Sequence, residues 1–338
     1  MPGCDIGMKL FFGASRGGGL PNVKLTYKLG AMKSRLALVV LFVLALALGG
    51  YWFLKGRSHG ALGQAALEHT REILAIGPRP AGSKELGQVR ALVRSKLTAA
   101  GWVVTEDSFK RQTPIGEIEF VNLRARFPAG NGDVWQQPIE GLLCAHIDSK
   151  YFKDQVFVGA DDSASACGAI VEIGKVLAKD KPGQAKKLEL VFFDGEEAFV
   201  EFTTLDGLYG SRNYAGTWRN RPDKPRFGLL LDMIGHKNLR VALPSDSPVD
   251  LKNHLMAAAE EEKESGHFKM APEPITDDHV PLNLVGIPTI DIIGDFQQYN
   301  WWHHQGGGKD DLANLSAESL DISMRVTLRT LDRLLEKK

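Results

Sequence analysis

Four short apolar runs constrain the fold more than any other feature of the chain: 140–145 (EGLLCA), 188–193 (LELVFF), 227–232 (FGLLLD) and 287–293 (IPTIDII). A strand buried on both faces reads as a continuous apolar run, and such strands alternating with helices build a largely parallel sheet covered on both sides. Residues 61–76 and 84–100 carry apolar residues at three- and four-residue intervals, as amphipathic helices do, and 163–179 is helix-like as well. Between the first two, the glycines and prolines of Gly77-Pro78-Arg79-Pro80-Ala81-Gly82-Ser83 predict a loop. The expectation is an α/β domain over 60–338 with a mostly parallel, twisted central sheet and helices on both faces; no repeat or long linker divides that range. Ligands of open parallel sheets gather at the carboxyl ends of the strands. The first three runs each end at or just before an acidic or histidine residue, so the strand order itself collects polar groups on one edge.

Upstream of this pattern, residues 36–54 form an uncharged apolar run of 19, about the ~20 residues that cross a bilayer as a helix. Lys33 and Arg35 precede it and Arg16, Lys24 and Lys28 lie further upstream, which favours a cytoplasmic N-terminus with the bulk of the protein on the far side. A cleaved secretory signal is the alternative, since Lys33-Ser34-Arg35 resembles a basic n-region and Ala45-Leu46-Ala47 a cleavage site. The expected localisation is therefore membrane-anchored with the catalytic domain outside the cytoplasm, periplasmic or lumenal, or secreted if the leader is cut. Residues 1–31 are glycine-rich, lack periodicity and read as a disordered extension. The formal net charge of zero hides a division: eight basic residues against Asp5 alone in 1–59, and 33 basic against 40 acidic in 60–338. Without basic patches interleaved with aromatics, no nucleic-acid role is expected.

Cys4, Cys144 and Cys167 supply neither a paired framework nor a CxxC knuckle, so any metal must rest on histidine and carboxylates. Five places offer them: His146 and Asp148 in AHIDSK, Asp161-Asp162 in GADDSA, Glu196-Glu197 in FFDGEEAF, Asp232 in LLLDMIG, and His303 in NWWHHQ. Singly, each is an ordinary helix cap or solvated loop residue. Together they form the N/O ligand set of zinc, which in catalytic sites keeps three protein ligands and leaves a position open, with a further carboxylate as general base. Adjacent glutamates at a strand end can divide those tasks.

With these residues in place, the sequence resembles the zinc-dependent glutaminyl cyclases (glutaminyl-peptide cyclotransferases), which share the fold of the co-catalytic zinc aminopeptidases. The likeness runs from about Ile73 to Leu320 through LAIGPRPAGS, DSFKRQTPIGEIEFVN, AHIDSKYF, FVGADDSASAC, FFDGEEAF, DGLYGSRNYA, LLLDMIG, DDHVPL, GIPTIDII and WWHH. Lys150-Tyr151-Phe152 and the nine residues 198–206 before Gly207-Leu208-Tyr209-Gly210-Ser211 point to the cyclases among these enzymes. The resemblance implies Asp162, Glu197 and His303 as ligands of one zinc, Glu196 as general acid/base, Asp232 and Asp277 as a carboxylate network around it, and Trp302 and Phe202 as pocket walls. It implies a peptide or protein N-terminal glutamine as substrate, cyclised to pyroglutamate with loss of ammonia, and clustered carboxylates that would raise the pKa of Glu196 or Asp277. A dizinc aminopeptidase stays open, because His146, Asp162, Glu197, Asp232 and His303 also make five ligand positions of a two-metal site. A catalytically dead peptide-binding ectodomain is a third reading, at odds with the retained ligands.

The chain also departs from the family. Phe202 stands where animal cyclases carry tryptophan, His304 replaces a threonine, and Gly306-Gly307-Gly308 replaces an acidic loop. His304 competes with His303 for the ligand role. The animal enzymes pair two cysteines, of which Cys167 matches one, but Cys144 lies one residue before the other; a one-residue shift on a strand turns a side chain to the opposite face, so buried free thiols are expected. His279 is either a substrate-site residue or a loop histidine, and Arg79 and Ser83 read as structural.

Overall fold

The computed structural model describes residues 60–299, 301–307 and 309–336. The expectations for residues 1–31 and 36–54 lie outside them. Among the described residues no helix is long and apolar enough to cross a membrane.

The four apolar runs form the centre of an eight-stranded sheet of order β1-β2-β4-β3-β5-β8-β6-β7. They are β3 (Gly141–His146), β4 (Leu188–Phe193), β5 (Phe227–Asp232) and β8 (Thr289–Gly294). All four are parallel to one another, and every residue in them is buried. Alternation then divides their side chains between two layers. Leu143, Ala145, Leu190, Phe192, Leu229, Leu231, Ile290 and Ile292 pack with the helix at 60–74 (α1), α2 (Lys84–Ala99), α3 (Ala166–Asp180), α6 (Val249–Glu261) and α8 (Ala317–Leu335). Leu142, Cys144, Val191, Phe193 and Leu230 pack with Tyr214 and Trp218 of α5 (Tyr209–Trp218) and Leu282 of α7 (His279–Leu284). A one-turn α4 (Pro182–Ala185) leads into β4. Ser83 caps α2, its hydroxyl accepting the Leu86 amide at 3.1 Å.

The sheet is mixed rather than mostly parallel. β1 (Val103–Thr113) and β2 (Gly116–Arg126) form an antiparallel hairpin on β4, and β6 (Val241–Leu243), paired with β7 (Phe268–Met270), runs antiparallel to β8. With only two residues between β1 and β2, the chain has no length for a crossover and must turn back. β1 (VVTEDSFKRQT) is largely exposed, so it carries no apolar run to announce it. Cys144 and Cys167 are buried and unpaired, as the register shift implied.

Candidate active site

The carboxyl ends of β3, β4 and β5 deliver the site. β3 ends at His146 and continues into Asp148, whose carboxylate accepts the backbone amides of Glu196 at 3.2 Å and Glu197 at 3.3 Å. The loop after β4 is thereby tied to its neighbouring strand at the position where the glutamate pair emerges. Gly195 makes that exit possible: its φ is +77°, and a Cβ there would lie 2.3 Å from the Phe120 ring.

Asp162 lies in the irregular turn Ala160–Ser165 before α3. Asp310 holds this turn from beneath, its carboxylate accepting the amides of Asp161 at 2.8 Å and Asp162 at 3.1 Å. The fully buried Arg79 guanidinium donates to the carbonyls of Ile147 at 2.9 Å, Gly159 at 3.1 Å and Val158. Arg79 and Ser83 are thus structural, and Arg79 joins the segment after β3 to the one that leads into the Asp162 turn.

His303 arrives from the segment after β8, with its Nε2 3.3 Å from Asp162 Oδ2 and 3.3 Å from Glu197 Oε1. Ligands held tetrahedrally at about 2.0–2.1 Å from a zinc ion stand about 3.3 Å apart, so the trio has the donor types of a zinc site and both histidine separations match it, with all three atoms within 4.8 Å of one another. The competing histidine is engaged elsewhere: His304 Nε2 donates to the Val156 carbonyl at 3.0 Å and its Nδ1 accepts the Asp310 amide at 3.2 Å. Both histidines have positive φ, 48° and 57°, a backbone conformation unusual for side chains of this size. The His303 ring is stacked on Trp302 at 4.2 Å between centroids and edged by Phe152 and Phe157. Its imidazole is pushed up to about 9, because the carboxylates of Asp162 and Glu197 outweigh the opposite effect of burial.

A second group adjoins the first through Asp162. His146 Nε2 is 3.1 Å from Asp162 Oδ1 and 3.3 Å from Asp232 Oδ1, and its Nδ1 is 3.5 Å from Asp148. Burial disfavours its charge, yet these three carboxylates hold it well above the ordinary histidine value. Burial also lifts Asp232, up to about 8. Glu196 is raised well above the carboxylate range by burial and by Glu197, Asp277 and Asp278, against the pull of His146. Asp232 therefore has His146 as its close partner, while Asp277 acts on Glu196 through its charge. Asp277 lies in a third buried group with His279 and Asp291. His279 opens α7, buried, with its Nδ1 3.6 Å from Asp291.

Phe202 lies over Lys150, whose Nζ is 5.7 Å from the Phe202 ring centroid and 3.3 Å from Glu197 Oε2. Sequence reasoning did not single out Asp310, Asp291 or Asp206. None of them closes an apolar run: Asp310 follows the glycine stretch, Asp291 is inside β8, and Asp206 is in the 198–206 segment.

The fold and this cluster of histidine and carboxylates point to the class. The profile of Peptidase family M28 matches residues 122–331, and the chain belongs to that family. Within it the chain stands with the glutaminyl-peptide cyclotransferases. The protein of that name from Dictyostelium discoideum is 30% identical over 297 residues, 75% of this chain and 80% of that protein. The crystal structure of an Acidobacteriales bacterium glutaminyl cyclase superposes with a TM-score of 0.70 at 30% identity, over 80% of this chain and 94% of that one. A Zn-dependent exopeptidase from Parabacteroides distasonis, 24% identical over 81% of this chain and 98% of its own with a TM-score of 0.70, shares the fold.

Proposed function

We propose that this chain is a zinc-dependent glutaminyl-peptide cyclotransferase that closes the N-terminal glutamine of a peptide or protein to pyroglutamate and releases ammonia. The observation that carries the reading is the convergence of Asp162, Glu197 and His303 within metal-ligand reach beside the buried Glu196. The names of the relatives carry the choice of cyclisation over hydrolysis. Zinc, when bound by those three residues, supplies a Lewis acid for the γ-carbonyl of the glutamine. Glu196 takes a proton from the α-amine as its nitrogen bonds to the γ-carbon, then returns that proton to the γ-amide nitrogen as ammonia departs. Asp148 fixes the backbone from which Glu196 and Glu197 project. Trp302 and Phe202 supply apolar walls that hold the side chain folded back on its own amine and keep water out. Because the nucleophile belongs to the substrate, this positioning matters more than generating hydroxide.

The His146 cluster favours a second reading, a two-metal aminopeptidase, since His146, Asp162 and Asp232 are spaced like the first trio and share Asp162 with it. The same geometry supports one zinc when His146 is an imidazolium, for a cation then already stands among Asp148, Asp162 and Asp232. Incubating the purified chain with Gln-initiated and Leu-initiated peptides separates the two. Loss of one ammonia from the first with the second uncleaved, at one zinc per chain, is the expected result. Release of free leucine at two zincs per chain would overturn it.

We further propose residues 36–54 as a membrane anchor that holds the catalytic domain outside the cytoplasm. The support is their length and the flanking basic residues. Sedimentation with membranes after alkaline carbonate extraction is expected, and recovery of the intact chain in the wash would refute it.

A further inference from the structure

A groove of about 910 Å³ opens between α5, α7 and the 198–206 segment. Its walls are apolar, formed by Phe202, Leu208, Val280 and Leu284 among others, with Arg212 and Arg219 at its side. Leu284 is 81% exposed and Phe202 39%, so the apolar surface faces solvent rather than closing on itself. A groove of this volume, largely apolar with a few polar groups at its side, has the form of a binding site.

The groove adjoins the catalytic residues through its lining. Phe202, at its rim, lies over Lys150, which reaches Glu197 at 3.3 Å. The Leu208 amide donates to the Glu196 carbonyl at 2.8 Å, and the Val280 amide to the Asp277 carbonyl at 2.9 Å. Two lining residues are thus hydrogen-bonded to residues of the site, and a third lies over Lys150. The charge of the groove runs against that of the domain. Residues 60–338 carry 33 basic and 40 acidic side chains. Yet neither Arg212 nor Arg219 has a carboxylate partner among the described residues: Arg212 is spent on the carbonyls of Thr203 and Thr204, and Arg219 is exposed. The exposed Arg219, with the Arg212 charge behind it, beside an apolar trough fits a peptide with apolar side chains followed by acidic ones.

We propose that this groove binds the polypeptide downstream of the N-terminal glutamine and selects substrates whose following residues are apolar and then acidic. The inference rests on the cyclotransferase reading and adds a determinant of substrate choice to it. A glutamine seated against Glu196 directs the rest of its chain past Phe202, and side chains buried along α7 contribute binding remote from the reacting bonds.

The test compares two amidated substrates on the full chain: Gln-Ala, and a Gln-initiated hexapeptide with leucine at its third and fourth positions and glutamate at its fifth and sixth. Burial of the two leucines against the groove predicts a KM for the hexapeptide at least about ten-fold lower. Leu284→Asp and Arg219→Glu should each remove most of that advantage while leaving kcat and the Gln-Ala kinetics unchanged. Arg219→Glu should regain it on a hexapeptide ending in two lysines. Equal KM values for the two substrates would overturn the proposal, as would variants that slow both alike. A change in oligomeric state on sedimentation of L284D, with its KM values unchanged, would assign the groove to a second copy of the chain instead. Failure of the wild-type chain to cyclise even Gln-Ala is a different result and sinks the activity beneath the proposal.

Discussion

Glu196 and Glu197 are neighbours in sequence and both buried, but what meets their side chains differs, as the opposite tasks proposed for them require. Glu197 directs Oε1 at His303 and Oε2 at Lys150, each 3.3 Å away, so its charge is matched. Glu196 is surrounded chiefly by other carboxylates, which with burial raise it well above the ordinary range. Glu196→Gln should therefore keep full zinc occupancy and lower kcat by about 10²–10⁴, the usual worth of a general acid/base. Glu197→Gln should instead lose zinc. Metal analysis of both variants beside their turnover checks the division, and zinc lost from the Glu196 variant would contradict it. These two residues were legible in the sequence because they follow an apolar strand directly. Asp148 stood out for the same reason, yet its role was hidden: accepting two amides from the next strand is a consequence of sheet order, which no local pattern encodes. Asp310 was hidden altogether, since it reaches Asp161 and Asp162 across about 150 residues of chain.

At the scale of elements, the segment 198–206 shows how a loop with several exposed apolar side chains is kept in one shape. The Asp206 carboxylate accepts the amides of Phe199 at 2.9 Å, Val200 at 2.8 Å and Glu201 at 3.2 Å, and the Tyr209 hydroxyl at 3.1 Å. Amides turned toward it hold this carboxyl below the usual carboxylate value, although partial burial works the other way. Asp206→Ala should free the loop that carries Phe202. The expected outcome is a KM for Gln-initiated peptides raised about ten-fold, as ordering that the fold now supplies becomes a cost of binding, with zinc content unchanged. An unaltered KM would show that Phe202 needs no such support. The insertion was legible as a count of residues, but its clamp was not, because Asp206 looks like any loop aspartate. The central strands were legible by contrast, since a strand buried on both faces must be apolar throughout. The β1–β2 hairpin was not, as β2 buries a continuous stretch only at Phe120–Leu123, and the parallel expectation failed there for that reason.

For the whole molecule, the sheet edge that collects the ligands also collects buried acid, and stability must carry the imprint. Asp194 is pushed up to about 8 by burial and the charge of Asp148, outweighing the Val121 amide and Arg90. Burial raises Asp278 and Asp291 well above the carboxylate range, with Asp277 adding to both. A carboxyl raised on folding binds its proton more tightly folded than unfolded, so stability present below the unfolded value of about 3.9 is lost as pH climbs through the folded one. The raised histidines His146 and His303 act in the same direction above about 6.5. The lowered carboxyls, Asp206 among them, act below about pH 5; between pH 5 and 8 the opposing groups among the described residues are His236 and His279, lowered chiefly by burial. The metal-free chain should accordingly lose stability between pH 5 and 8, by about 1.4 kcal/mol per pH unit for each proton by which the two states differ. Zinc adds positive charge among these carboxylates and requires its histidine deprotonated, so its gain should grow over the same range. Thermal unfolding of the chelator-treated chain, with and without added zinc, reads both effects. The midpoint should fall from pH 5 to 8 without zinc and recover most at pH 8 with it, while Asp194→Asn should flatten the metal-free slope. A metal-free midpoint that rises across that window would mean the buried carboxyls are ionised and matched in the fold, and the electrostatic account of the site would have to be abandoned.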